Sequence, residues 1–206
     1  MTTTRPAAQA TAGPHARWTG PSGRLNTTWH RRALLVFAVV VIAHWGEHLA
    51  QAVQIYVMGW PVPEAGGLLG LAVPWLVTSE WMHYGYALVM LIGLVTLRHG
   101  FTGRARRWWN ASMWTQVWHH FEHLLLLLQA STGAYLAGAV KPTSIVQLLV
   151  PRVELHLFYN TLVTLPMVVA MVLHHRRTAR DAQDVTVPAC SCGTSVRRRA
   201  GLVAAG

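Results

Sequence analysis

Four stretches of this chain, roughly 33–57, 76–97, 109–139 and 153–175, are each long and apolar enough to cross a hydrocarbon core. About 20 apolar residues at about 1.5 Å per residue span about 30 Å. Lipid offers no partners for an open backbone, so segments of this kind are helices. The runs predict an all-α integral membrane protein with four transmembrane helices. Composition agrees, with 52% of the 206 residues hydrophobic and only 12% charged. The first run is longer than the apolar core of a secretory signal and no small-residue cleavage site follows it, so it is expected to be retained.

Charge sets the orientation. Of the 17 Lys and Arg residues, 15 lie within 5–32, in the 98–107 loop, or from Arg176 onward, and only Lys141 and Arg152 occupy the other connections. Basic residues accumulate on the cytoplasmic side of membrane segments. Both termini and the middle loop are therefore expected in the cytoplasm, in a multi-pass protein of the bacterial inner membrane. Sixteen arginines against one lysine also suggest a GC-rich bacterial genome. A net charge of +10 would suggest nucleic acid in a soluble protein. Here the arginines flank apolar spans, where they set topology and meet anionic lipid, so membrane lipid and no nucleic acid is the expected partner.

Residues 1–32 and 177–206 are rich in Ala, Thr, Gly, Pro and Arg without apolar periodicity, which predicts disordered tails around a transmembrane domain at 33–176. Cys190 and Cys192 form a Cys-x-Cys in the second tail. In a cytoplasmic segment they read as free thiols rather than a disulfide.

One pattern occurs twice. "HWGEHLAQAVQ" at 44–54 and "HHFEHLLLLLQ" at 119–129 share His-x-x-Glu-His-Leu-x-x-x-x-Gln without a gap. The following run in each half carries a histidine with a tyrosine three places later, His83 with Tyr86 and His156 with Tyr159. The chain reads as two copies of a helical hairpin, both starting in the cytoplasm, forming a four-helix bundle. At 100° per residue, His44, Glu47 and His48 fan over about 100° of one helix face. Counted from the cytoplasmic ends at about 1.5 Å per residue, His44 and His119 lie about 16 Å deep, His48 and His123 about 22 Å, His83 about 21 Å and His156 about 26 Å. Six histidines and two glutamates converge on one layer.

An ionisable group at the bilayer centre costs about 2.5–3.5 kcal/mol even on the most lenient scale, so such groups persist where they face partners. Neutral imidazole is the commonest metal ligand, and histidines at i and i+4 can share an ion. Cations offset by buried carboxylates also balance the charge. The expected ligands are His44, Glu47, His48, His83, His119, Glu122, His123 and His156, a count that suits two transition-metal ions. Iron is favoured over copper or zinc because carboxylates are present. Glu47, Glu122, Tyr86 and Tyr159 are the catalytic candidates, the tyrosines as relays for a proton or an electron one turn inward of His83 and His156. Gln54 and Gln129, two turns beyond the glutamates, are expected to orient ligands or close the outer end. Glu80 and Glu154 are outer acids or rim charges. His120 faces away from the layer, and His99, His174 and His175 are expected to snorkel among arginines. The apolar segment 59–75 should fold back over the site.

The layout is comparable to that of four-helix di-iron carboxylate proteins. His-x-x-Glu-His replaces their Glu-x-x-His, and the donor balance shifts toward nitrogen. The implied function is a non-haem binuclear oxidoreductase of the oxygenase, hydroxylase or desaturase kind, acting on a lipophilic substrate. Its electrons would come from a quinol, a separate donor protein or the substrate itself. Three rivals use the same residues: a transition-metal transporter; a metal-dependent intramembrane hydrolase, since His-x-x-Glu-His is also an inverted zincin motif; and a haem b protein linked to quinol. A transporter would need polar stepping stones on both sides of the layer, and "ALLVFAVVVIA" at 33–43 offers none.

Overall fold

The computed structural model describes residues 21–181, with side chains for 23–176. Among these residues the regular structure is entirely helical. A short helix α1 (Pro21–Leu25) precedes α2 (His30–Tyr56). The connection to α5 (Glu80–Leu97) contains two short helices, α3 (Gly67–Ala72) and α4 (Pro74–Val77). A single 3-10 turn leads into α6 (Gly103–Thr132), and a long connection with two further turns, Leu136–Gly138 and Val146–Leu148, leads into α7 (Arg152–Asp181).

Three helical stretches, His30–Tyr56, Glu80–Gly100 and Arg152–Arg176, are long and apolar enough to cross a membrane. Helix α6 has 30 residues but lower hydropathy, because it carries Arg104, Arg106 and Arg107 near its start and polar residues further along. Ser112, Gln116, His119, Glu122, His123 and Gln129 of that helix are all buried, while Trp114, Trp118, Phe121 and Leu128 are exposed. The helix is thus polar inward and apolar outward. The other long helices continue the apolar exterior with Val36, Val39 and Ile42, with Val89, Ile92 and Val95, and with Leu165, Val168 and Val172. Water disfavours a belt of this extent, and lipid accepts it.

Helix α6 is central, packing along both α7 and α5, whereas α2 makes smaller contacts with α7, α5 and α3. At the base, the end where α2 begins and α7 finishes, a core of Leu34, Phe37, Val41, Met90, Leu94, Phe101, Trp109, Met113, Val163 and Met167 fills the interior. Trp109 is fully buried and donates Nε1–H to the Leu94 carbonyl at 2.7 Å. In lipid such a core is held by close packing and interhelical hydrogen bonds rather than by exclusion of water. Gly93 shows the first, since the Phe37 ring lies where a Cβ would stand. Ser112, donating to the Val163 carbonyl at 2.7 Å near Pro166 of α7, shows the second.

Five sequence expectations are corrected here. The third apolar run does not stay helical to 139, because Gly133 adopts a left-handed φ of 71° and caps α6, its N–H bonding the Gln129 carbonyl at 2.9 Å. The second run enters α5 only at Glu80, residues 74–77 forming the separate turn α4. Residues 21–32, placed with the disordered tail, hold α1 and the first turn of α2, tied down where Asn26 Nδ2 donates to the Thr96 carbonyl and Asn26 Oδ1 accepts from Gly100 N–H, both at 2.8 Å. At the other end, 177–181 continue α7. His174 does not snorkel: it is buried, its ring edge-on to His30 at 5.2 Å and tilted against Phe101 at 5.0 Å. The remainder of both tails, with Cys190 and Cys192, lies outside the described residues.

Candidate metal centre

Above the apolar core, the i, i+4 spacing sets His44 beside His48 on α2 and His119 beside His123 on α6. The Nε2 atoms are 3.1 Å apart in the first pair and 3.2 Å in the second, with ring centroids 4.5 Å apart in both. Two nitrogens bound tetrahedrally to one ion at about 2.05 Å would sit about 3.3 Å from each other. Each pair is at hydrogen-bond distance, a separation that also suits a shared cation.

His156 of α7 meets the second pair. His119, His123 and His156 are buried, and each presents a ring nitrogen within 4.8 Å of the other two. His156 Nδ1 lies 2.7 Å from the Arg152 carbonyl oxygen. That oxygen can only accept, so Nδ1 carries the proton and Nε2 turns a lone pair inward. This Nε2 is buried without a hydrogen-bond partner, as are Nδ1 of His119 and of His123. His83 is fixed in the same manner, Nε2–H donating to the Val77 carbonyl at 2.9 Å, which leaves Nδ1 as its lone-pair atom. Its ring centroid is 6.1 Å from that of His123 and 6.2 Å from that of His156, and His48 approaches His156 to 5.1 Å. All six predicted histidines join one layer, and three are close enough to hold one ion together.

The glutamates are placed differently. Glu47 Oε2 accepts the Leu69 N–H at 2.8 Å, and Glu122 Oε1 accepts the Val146 N–H at 3.0 Å. Among the described residues, the cluster of convergent donors contains no carboxylate. Glu122 Oε2 stays buried without a partner. Leu69 and Val146 belong to the two segments, 57–79 and 133–151, that cover the crown, the end opposite the base. The glutamines complete the attachment. Gln54 exchanges hydrogen bonds with Gly67, Nε2 to the carbonyl at 3.1 Å and Oε1 from the N–H at 2.8 Å. Gln129 accepts from Leu136 N–H at 2.8 Å and donates to the Thr143 carbonyl at 2.9 Å. Irregular backbone at this depth must find such partners, because lipid supplies none. Gly67 is required as glycine: its φ is +73°, and a Cβ would stand 2.6 Å from Glu47 Oε2. Segment 59–75 folds back over the site as expected.

The tyrosines flank the layer. Tyr86 stacks on His44 at 3.6 Å and 13° and donates its hydroxyl to the Val40 carbonyl at 3.1 Å. Tyr159 lies 4.5 Å from His119, and its hydroxyl oxygen accepts Trp118 Nε1–H at 2.7 Å. On the crown side, a chamber of about 420 Å³ has His44, His48, His83 and His156 on its floor and Val62, Pro63, Leu69, Val77 and Met82 among its walls. Arg152 lines it too, paired with Glu80 at 2.6 and 2.8 Å, a bridge that ties α7 to α5. Glu154 instead accepts the Tyr56 hydroxyl at the rim. Among the histidines themselves lies a cavity of about 10 Å³, bounded on its base side by Gln116 and Asn160.

Sequence reasoning passed over Asn160, Trp118 and the Glu80–Arg152 pair. Asn160 stands four places after His156, so helical spacing alone could have placed it under that ring. Nothing in the spacing joins Trp118 to Tyr159 or Arg152 to Glu80. Comparison with protein-family models, with curated proteins and with solved structures gives no match, so the layer is interpreted from its own chemistry.

Proposed function

We propose that this chain is a four-span metalloenzyme of the bacterial inner membrane, with cytoplasmic termini, whose histidine layer holds transition-metal ions and oxidises a lipophilic substrate. The observation that carries the reading is the pair of matched imidazole spacings, 3.1 and 3.2 Å, with the unpartnered Nε2 of His156 facing the second. Burying polar nitrogens without partners costs about 1–3 kcal/mol each. A cation held with His119 and His123 would give the buried Nε2 of His156 the partner it lacks.

His119, His123 and His156 hold one ion. His44, His48 and His83 form the second position, on the chamber side. With one oxygen of each carboxylate engaged by a crown amide, the imidazoles are the main donors, and imidazole suits iron, copper and zinc alike. The fourth span is α6, whose low hydropathy comes from the arginines at its start and from polar side chains turned to the interior. The chamber is large enough for a small substrate and mostly apolar, which matches a lipophilic one. When bound, a redox metal supplies electron exchange with that substrate. Tyr159 and Trp118 lead from His119 to an exposed flank of α6, where a quinone in the membrane takes up electrons drawn from the substrate, or a quinol or donor protein supplies them for the reduction of dioxygen.

The rival readings fit less well. Transport needs a polar route through the base, where the core is apolar and Trp109 and Leu94 are fully buried. Haem needs a planar slot, and the rings around His156 pack at 5.1–5.6 Å from it. Hydrolysis with a glutamate base would use the second oxygen of Glu47 or Glu122, and a zinc-only protein without a redox spectrum would mark it.

Elemental analysis of the purified full-length protein, with optical and EPR spectra before and after reduction, tests the proposal. One or two irons or coppers per chain with a redox-sensitive spectrum are expected. Zinc alone would move the function to hydrolysis. Haem, or a metal-free protein, would overturn it.

A further inference from the structure

The small cavity beneath the imidazoles carries an assignment of its own, which rests on the metal reading above. Asn160 lies one turn toward the base from His156 on the same face of α7. Its Nδ2 is buried without a hydrogen-bond partner, and it borders the 10 Å³ cavity together with His119, His123 and His156. The neighbouring amide, Gln116, is not equivalent, because its Nε2 donates to the Ala87 carbonyl at 3.1 Å. In the first half of the chain, the position four places after His83 is Ala87, which has no donor to offer. The carboxamide at 160 is thus an amide donor beside the triad with no protein acceptor among the described residues.

The volume decides what it meets. A cavity of about 10 Å³ holds about one water-sized centre and excludes larger molecules. We propose that Asn160 donates an N–H to a single-oxygen ligand, water or hydroxide, bound to the ion held by His119, His123 and His156. A fixed donor aimed at a metal-bound oxygen favours its anionic form, as preorganised donors do wherever negative charge develops. Asn160 is a positioning residue, acting through that ligand. The chamber lies on the other side of the histidines, lined by His44, His48, His83 and His156 but not by His119 or His123, so the held oxygen would be kept apart from a molecule in the chamber.

Fluoride, an anion of hydroxide's size, is the probe. Full-length metal-loaded protein in detergent is titrated with fluoride by EPR, or by visible absorption after cobalt(II) substitution if the native ion is spectroscopically silent. Asn160→Leu is expected to weaken fluoride binding at least about tenfold with metal content unchanged, the loss of one hydrogen bond to a charged acceptor. Asn160→Asp, the same shape with a repelling charge, is expected to weaken it further and guards against misfolding of the leucine variant. Unchanged fluoride affinity in both metal-loaded variants overturns the role of Asn160 and leaves the metal centre standing. Absence of metal from the unaltered protein overturns the centre, and this role with it.

Discussion

In α2, His44 and Glu47 are half-buried and face the crown-side chamber, whereas in α6 His119, Glu122 and His123 are buried between α5 and α7. The two boxes have the same spacing and nearly the same Nε2 separation. Among the described residues, only the second has a third imidazole within reach of both its rings. Its tyrosine is held by a tryptophan, while that of the first stacks flat on His44. One motif thus has two settings: wedged between two helices it forms a closed cluster of three imidazoles, and at the less covered position of α2 it forms a floor for the chamber.

The largest effect that could break this comparison is metal loss. Removing His123 or His156 by substitution with Ala should lower metal per chain at least about tenfold, since even the groups that merely orient ligands are worth 10–100-fold. His48→Ala should keep at least half of it. Equal losses by elemental analysis would make the halves equivalent. Next are the glutamine staples. Gln129→Ala, which frees two crown amides and the Thr143 carbonyl, should destabilise by about 3 kcal/mol, and Gln54→Ala, which frees one of each, by about 2 kcal/mol, measured by unfolding in detergent. A reversed order would show that the first crown segment is the tighter one.

Gly67→Ala combines backbone strain with a collision at Glu47 and should cost about 2–3 kcal/mol, while Gly138→Ala, at φ +72° with open space around it, should cost about 1 kcal/mol. Trp118→Phe should cost only about 0.6 kcal/mol, typical of one hydrogen bond within lipid, but should slow reduction of the centre by a quinol analogue in stopped-flow absorbance. The smallest expected effect is the sharpest check on ligand identity. Glu47→Gln and Glu122→Gln should leave metal content unchanged. Metal lost from either variant would return that carboxylate to the donor set.

How far the sequence could be followed depended on the range of the interaction. The helices were legible from apolar run length, and α6 from its polar residues being matched to those of α2. The pairing of His44 with His48 and of His119 with His123 was legible because four residues make about one helical turn. The ends of spans were less legible: Gly133 stops α6 inside an apolar run, and no hydropathy average registers a left-handed cap. The crown contacts of the glutamates were not legible, because position 47 or 122 fixes only a direction around a helix. What waits in that direction, the N–H of Leu69 or of Val146, comes from a segment 22 or 24 residues away.

The sequence by itself determined that this chain is helical, suited to lipid, and furnished with imidazoles at matched heights. These follow from backbone hydrogen bonding and the helical repeat, which act within a turn or two. The tertiary structure alone decided which nitrogens converge, that the carboxylates hold the crown, and that Asn160 faces a cavity with room for one small ligand. Those facts depend on how α5, α6 and α7 pack side by side, and packing brings together atoms whose separation along the chain carries no record of their meeting.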